Sequence, residues 1–377
     1  MAQAHEAIAQ LLKYVADQNA SDIYLTTGAP PSVRIQGIKR NIGDKRLAVG
    51  QSKDLAYAIM TPEQIAKFEQ AKELNFAYWA PGAGRFRVNV YWQRGEVALV
   101  GRYINSRVPD LETLGLPPVA GKLAALPRGL VLVVGSTGSG KSSTLAAMVN
   151  HRASRFSDHI LTMEDPIEFL LSHQRSTVDQ REIGVDTLTY ADALRNALRQ
   201  APDMIVIGEI RDRETMQHAI SYAETGHLCL STLHANNANQ AIKRILNFYP
   251  ESAHQQLLMD LSLNLQAVVA QRLLPGTDGR LVLASEVMLR SAYIGELIRK
   301  GQIDEIRAAI QKGGDGGMQS FDQCLLDLVM AGQIDPDTAL AHAESRTDLG
   351  LKLRLGPTSQ PAPLTASSSR PLATLTP

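Results

Sequence analysis

The sequence predicts an α/β protein, with a P-loop core on a parallel sheet preceded by a small α+β domain. Three observations carry that prediction. The apolar run Leu130-Val131-Leu132-Val133-Val134 leads into Gly135-Ser136-Thr137-Gly138-Ser139-Gly140-Lys141-Ser142, and Thr144 to Val149 continue as a helical pattern. A strand closing on such a turn and opening a helix is the context a phosphate-binding loop requires. Further short apolar strands, Ile160–Met163, Met204–Ile207 and Leu228–Ser231, are separated by helical stretches, as in a parallel sheet buried on both faces. Before residue 108 the strands and helices do not alternate in this way, so residues 1–107 form a separate α+β unit.

The elements of that first unit follow in order. Ile8, Leu11, Leu12 and Val15 recur at helical spacing and predict an amphipathic helix with its apolar face inward. Asp22–Leu25 and Ser32–Ile35 read as strands around a Gly28-Ala29-Pro30-Pro31 turn. A polar helix runs from Ser52 to Glu73, restarting at Thr61-Pro62. Arg85 to Trp92 alternate with period two, and Gln93-Arg94-Gly95-Glu96 turns the chain into Val97–Ile104, a hairpin. Pro109, Pro117, Pro118 and Pro127 mark 108–128 as an interdomain connection. The core domain spans 129–350 and becomes mainly helical beyond Leu257; Gly313-Gly314-Asp315-Gly316-Gly317 is a loop. From 351 to 377 a tail is expected to be disordered; from Gly356 onward it is rich in Pro, Ser, Thr and Ala, with Arg370 as its one charge.

Composition excludes several classes. Lys plus Arg and Asp plus Glu both number 38, so no bulk field draws the chain to nucleic acid, and no nucleic-acid partner is expected. Cys229 and Cys324 are the only cysteines, too few for a disulfide framework or a four-cysteine zinc site, and a reducing cytosol fits them. His5, Glu6, Lys13 and Asp17 interrupt the N-terminus, unlike a signal peptide. No uninterrupted apolar run approaches the roughly 20 residues that cross a bilayer. Direct membrane insertion is not expected, and any membrane link runs through a partner.

The chemistry starts at the glycine-rich turn. Its backbone N–H groups turn inward around the phosphates of ATP, Lys141 supplies positive charge, the Ser142 hydroxyl ligates Mg²⁺, and Ser143 completes the nucleotide-binding set. The helix that starts there adds its partial positive end. Carboxylates for the metal and the attacking water are expected at the ends of the next strands, at the same sheet edge. These are Glu164 in Glu164-Asp165-Pro166-Ile167-Glu168 and Glu209 in Gly208-Glu209-Ile210-Arg211-Asp212. Glu209 is assigned to the Mg²⁺ side through water and Glu164 to the nucleophilic water, although the roles are exchangeable and acidic helix caps are the bland reading of both. His234 follows a strand at the same edge, where an imidazole can sense the terminal phosphate; His227 precedes that strand and reads equally as an ordinary polar residue. Arg85, Arg87 and Arg102 lie in the first-domain hairpin. They are either a solvated face or arginine fingers delivered when that domain closes over ATP held by the same or a neighbouring subunit. Arg195 and Arg199 share a helix face and belong to an interface or to acid pairs.

Taken together, the strings GSTGSGKSSTLAAM, ILTMEDPIEF, VDQREIGVDT, ALRQAPDMIVIGEIRD and AETGHLCLSTLHANNA, flanked by ASDIYL and GMQSFD, resemble the secretion-ATPase superfamily. Within it the chain is similar to the type IV pilus retraction ATPases of the PilT and PilU kind, over nearly its whole length except the tail. The resemblance implies a PAS-like first domain, a RecA-like core, and a homo-hexamer with nucleotide between domains. Gly135–Ser142 would be Walker A, Glu164 part of the Asp box, Glu209 of Walker B, and His227 and His234 of the His box. It also implies a cytoplasmic, peripheral place at the pilus base, on an inner-membrane platform protein. Where the PilT branch carries an AIRNLIRE-like motif, Ser291–Lys300 retain only Leu297-Ile298-Arg299. That departure, with the longer C-terminus, resembles the accessory PilU branch, whose partner would be a PilT-type retraction ATPase. The expected function is therefore ATP-driven pilus retraction and twitching motility. A regulatory ATP-binding ring subunit is the alternative, and a nucleic-acid translocase a more distant one.

Overall fold

The computed structural model describes residues 2–313 and 316–355. Helix α1 (Ala2–Asp17) buries Ile8, Leu12 and Val15. The small domain continues with β1 (Asp22–Thr26), β2 (Ser32–Ile35), β3 (Ile38–Asn41), α2 (Gln51–Tyr57), α3 (Pro62–Ala71), β4 (Glu73–Ala80), β5 (Gly84–Gln93) and β6 (Glu96–Tyr103). Thr61 starts α3 through a capping box with Gln64, which is why the polar stretch divides there. The strands form one antiparallel sheet in the order β3-β2-β1-β6-β5-β4. Arg94 and Gly95, both at positive φ, make the two-residue turn between β5 and β6. Ile23, Phe86, Val88, Val90 and Leu99 point to one face of the sheet and share a core with α1–α3. Sequence reading missed β3, whose residues are all exposed, and β4, which begins where Lys72 leaves the helix through the left-handed region.

The connection holds a short helix, α4 (Val119–Ala124), clamped by Arg152, which donates to the carbonyls of Ala124 and Leu126. The core domain runs β7 (Gly129–Val134), α5 (Lys141–Ala153), β8 (His159–Glu164), β9 (Thr177–Glu182), α6 (Tyr190–Ala197), β10 (Met204–Ile207), α7 (Arg213–Glu224), β11 (Leu228–Leu233), α8 (Ala238–Leu246) and α9 (His254–Asn264). Then come β12 (Leu265–Pro275), β13 (Leu281–Leu289), α10 (Ala292–Arg299), α11 (Ile306–Lys312), α12 (Phe321–Met330), α13 (Pro336–His342) and α14 (Arg346–Leu355). The sheet order is β13-β12-β7-β11-β10-β8-β9, parallel except for β13. Leu130, Leu132 and Val134 face one apolar layer while Val131 and Val133 face the other, so β7 lies between two cores.

Two expectations change. The chain beyond Leu257 is not mainly helical at first, because β12 and β13 are the two strands that follow α9 and close the sheet beside β7. Their burial is nearly continuous, so the period-two signal is absent. Residues 351–355, assigned to the tail, complete α14, while 356–377 lie outside the described residues. The glycine run keeps its turn at Gly316-Gly317, and Gly314 and Asp315 lie outside the described residues.

Candidate active site

The edge where β7, β8, β10 and β11 end is where most of the candidate side chains collect. After β7 the chain turns so tightly that a Cβ on Gly135 would sit 2.3 Å from Ser139 Oγ and 2.6 Å from the Gln271 carbonyl oxygen. Only glycine fits there. Gly140 enters α5 at φ 87°, a backbone state that disfavours a side chain. Thr137, Gly138, Gly140, Lys141, Ser142 and Ser143 line a cavity of about 530 Å³, and Gly135, Ser136 and Ser139 form the back of the loop. Lys141 Nζ donates to the carbonyls of Gly135 (3.0 Å) and Ser136 (2.8 Å). Burial lowers the Lys141 pKa, opposed by the charges of Glu209 and Glu168.

Glu164, Glu209 and His234 line the same cavity. Glu164 ends β8 and accepts from Thr162 Oγ1 (2.6 Å) and Gln180 Nε2 (2.9 Å). Burial nevertheless pushes its pKa up, because these hydrogen bonds and one from the Glu168 backbone do not offset the lost solvation of a carboxylate. Glu209 Oε2 accepts from Arg211 Nε at 2.7 Å, and its Oε1 lies 3.0 Å from His234 Nε2. Arg211 also reaches Asp165 at 3.4 Å. The strand ends are tied together: Gly208 N–H donates to Met163, Ile210 N–H to Thr232, and Thr232 Oγ1 to Gly208. One acid is thus desolvated and supported by neutral donors, while the other sits between two cationic or imidazole partners.

Not every expected site residue arrives. His227 lies at the opposite edge of the sheet, its carbonyl accepting from Gly129 N–H where β7 begins. Six residues of β11 separate it from His234, roughly 20 Å at strand rise. It does not line the cavity of its own chain. Arg87 and Arg102 face each other across β5 and β6, on the sheet face away from α1–α3, and neither lines the cavity. Arg102 Nε is paired with Asp22 at 2.9 Å. Arg85 instead bridges to the core domain, at 3.0 Å from Glu182. Arg195 lies beside an acid, 3.8 Å from Asp192. Strand periodicity fixes the face a side chain takes, but not which surface meets that face, so the hairpin arginines were not placeable from pattern alone.

A family model described as Type II/IV secretion system protein matches residues 2–280. The chain belongs to that family. The secretion-family chain is 47% identical over 350 residues to the type IV pilus ATPase PilU of Pseudomonas aeruginosa, covering 92% of this chain and 91% of that protein. It is 42% identical over 337 residues to the retraction ATPase PilT of the same organism, covering 89% and 98%. A crystal structure of the pilus retraction motor PilT with bound ADP superposes with a TM-score of 0.85 at 39% identity, covering 91% of this chain and 99% of that one. With the P-loop and two acids in one cavity, this secretion-family chain is an ATPase. Sequence reading of the family motifs missed Thr162, Gln180, Arg211 and Tyr190, which complete the cavity or hold its acids. Arg211 follows the apolar strand β10, and its charge there was an available signal; Gln180 lies on the mostly polar strand β9, which offers none.

Proposed function

We propose that this chain is a ring-forming motor that spends ATP on type IV pilus retraction, as the PilU-type accessory to a PilT-type ATPase. The observation that carries the reading is the convergence of Lys141, Glu164, Glu209 and His234 on one cavity at the first turn of α5. The loop amides and the α5 N-terminus bind the phosphates, and Lys141 offsets their charge. Ser142 and Glu209 are hard oxygen donors lining the same cavity, which suits Mg²⁺; that cation takes one or two carboxylates and completes its shell with phosphate and water. Among the described residues no cluster of three or more His, Cys, Asp or Glu side chains forms a separate metal cage. When bound, Mg²⁺ neutralises charge on the phosphates. Glu164, with its elevated pKa, takes the proton of the attacking water. His234, paired with Glu209, reads the terminal phosphate. Arg87 and Arg102 reach the phosphates only when the small domain of the same or a neighbouring subunit closes, which couples hydrolysis to rotation. His227 then serves the nucleotide from the subunit boundary, since its own cavity is out of reach.

Six copies around a platform protein at the cytoplasmic side of the inner membrane complete the proposal. No described helix is long and apolar enough to cross a membrane. ATP turnover is the test. Lys141→Ala should abolish it and Glu209→Gln should keep binding while stopping hydrolysis. Ordinary turnover by Lys141→Ala would sink the site assignment. Slow turnover that rises only on adding a PilT-type partner would favour the regulatory-subunit reading.

A further inference from the structure

The loop from His234 to Asn237, between β11 and α8, is held by contacts from outside the four strands that build the site. Ala238 N–H donates to Glu286 Oε1 on β13 at 2.8 Å. The Asn236 carbonyl accepts from Arg272 Nη2 on β12 at 3.5 Å. Asn237 divides its amide between two tasks. Its oxygen caps α8 by accepting from Gln240 N–H at 2.9 Å, and its Nδ2 donates to Glu344 Oε1 at 2.9 Å.

Glu344, between α13 and α14, joins these contacts to the C-terminal helices. Its Oε2 lies 3.2 Å from Arg307 Nε on α11, and its Oε1 lies 3.7 Å from Arg272 Nη2. The backbone N–H groups of Glu344 and Ser345 donate to the Asp322 carboxylate on α12, at 2.7 and 2.9 Å. Arg272 is fixed in turn, 4.0 Å over the Phe321 ring and donating to the His342 carbonyl at 2.8 Å. The Glu344 side chain is only 9% exposed, so its geometry is set by these partners rather than by water. Pairing between helices accounts for Arg307 and Asp322. The contact to Asn237 spans 107 residues of sequence and lands in the loop that carries His234.

We propose that Glu344 is a positioning residue through which α11–α14 set the His234 loop. The proposal rests on the reading of His234 as the sensor of the terminal phosphate. Glu344 reaches the His234 loop directly through Asn237, whereas the P-loop is held from β12 by Gln271, whose Nε2 donates to the Ser139 carbonyl, so a shift of the C-terminal helices acts first on the His234 loop.

The test uses the full chain, with steady-state hydrolysis and ADP affinity measured side by side. Glu344→Ala should lower kcat about tenfold while the ADP Kd changes by less than about twofold. Glu344→Gln, which keeps an oxygen for the Asn237 amide, should recover much of the loss. The double variant with His234→Ala should be no slower than His234→Ala alone. Should Glu344→Ala fail to fold, Asn237→Asp is the second arm. It preserves the α8 cap but sets a carboxylate against Glu344, and the same drop in kcat at constant ADP Kd is expected. Unchanged kcat in Asn237→Asp overturns the proposal, as does equal weakening of kcat and ADP binding in Glu344→Ala. An impaired His234→Ala whose loss adds to that of Glu344→Ala overturns the proposal alone. Normal turnover by His234→Ala overturns the sensor reading and the proposal with it.

Discussion

At the scale of single residues, Glu164 shows how the fold raises the pKa of the carboxylate to which the proposed mechanism gives proton transfer. Desolvation raises its pKa, while Thr162 and Gln180 donate to the ionised form and hold the rise in check. A base must be ionised to act, so the acid limb of the pH–rate profile should lie above the ordinary carboxylate range. Gln180→Ala removes a donor to the ionised form and should move that limb to higher pH. Hydrolysis measured from pH 5 to 9 checks this, and a limb that stays in place would separate Glu164 from the titrating step. That Glu164 and Glu209 line the cavity was legible in the sequence, because each stands at the end of an apolar strand at the edge where the phosphate loop opens. Their partners were not, since Gln180 reaches Glu164 across β8 and β9, a pairing the sequence does not announce.

At the scale of elements, β12 and β13 do more than close the sheet. Glu286 on β13 is 2% exposed and accepts from the first N–H of α8, a short-range complement to the helix N-terminus. Burial pushes its pKa up to about 7, with Glu344 adding to the rise and the Ala238 hydrogen bond, Arg272 and Arg307 opposing it. The folded state therefore holds this proton more tightly than the unfolded chain. Its contribution to stability is full below the unfolded value near 4.5 and is lost as pH rises through about 7. The loss above pH 7 is on the order of 3 kcal/mol. Glu286→Gln keeps an acceptor for Ala238 and should flatten this dependence, raising the melting temperature at pH 8 relative to the parent chain. Thermal unfolding at pH 5 and pH 8 decides it: an equal shift at both values would refute the linkage. A strand whose burial is unbroken from Leu283 to Met288, with Ser285 and Glu286 among its apolar residues, has no alternation to read, which is why this hairpin is not visible from pattern. By contrast, Thr61-Pro62 and Arg94-Gly95 announce their boundaries through cap and turn chemistry.

For the whole molecule, the decisive relation is between the small domain and the core. Asn105 bridges to Phe169, its carbonyl accepts from Leu170 N–H, and Arg85 pairs with the buried Glu182. Removing Arg85 leaves a carboxylate 5% exposed without its guanidinium. Arg85→Ala should cost about 2 kcal/mol, less than a fully buried pair because Arg85 itself keeps some solvent contact. Domain spacing by small-angle scattering should broaden while P-loop affinity for ADP is kept; unchanged scattering would mean that Glu182 does not hold the domain. That a small domain precedes the RecA-like core, and the order of the motifs, were legible in the sequence. The facing of Arg87, Arg102 and His227 was not, because it depends on surfaces that meet only in three dimensions.

The edge strands bear on how copies of this chain can meet. Lys39 and Arg40 lie on β3, and Asp179 and Arg181 on β9, each at one outer margin of its sheet. Charge at such margins discourages one backbone ladder from extending into another, the route to fibrils and insoluble strand-swapped aggregates. At β3 and β9, strand addition between copies is thereby disfavoured, which leaves side-chain faces as the surfaces open to contact there.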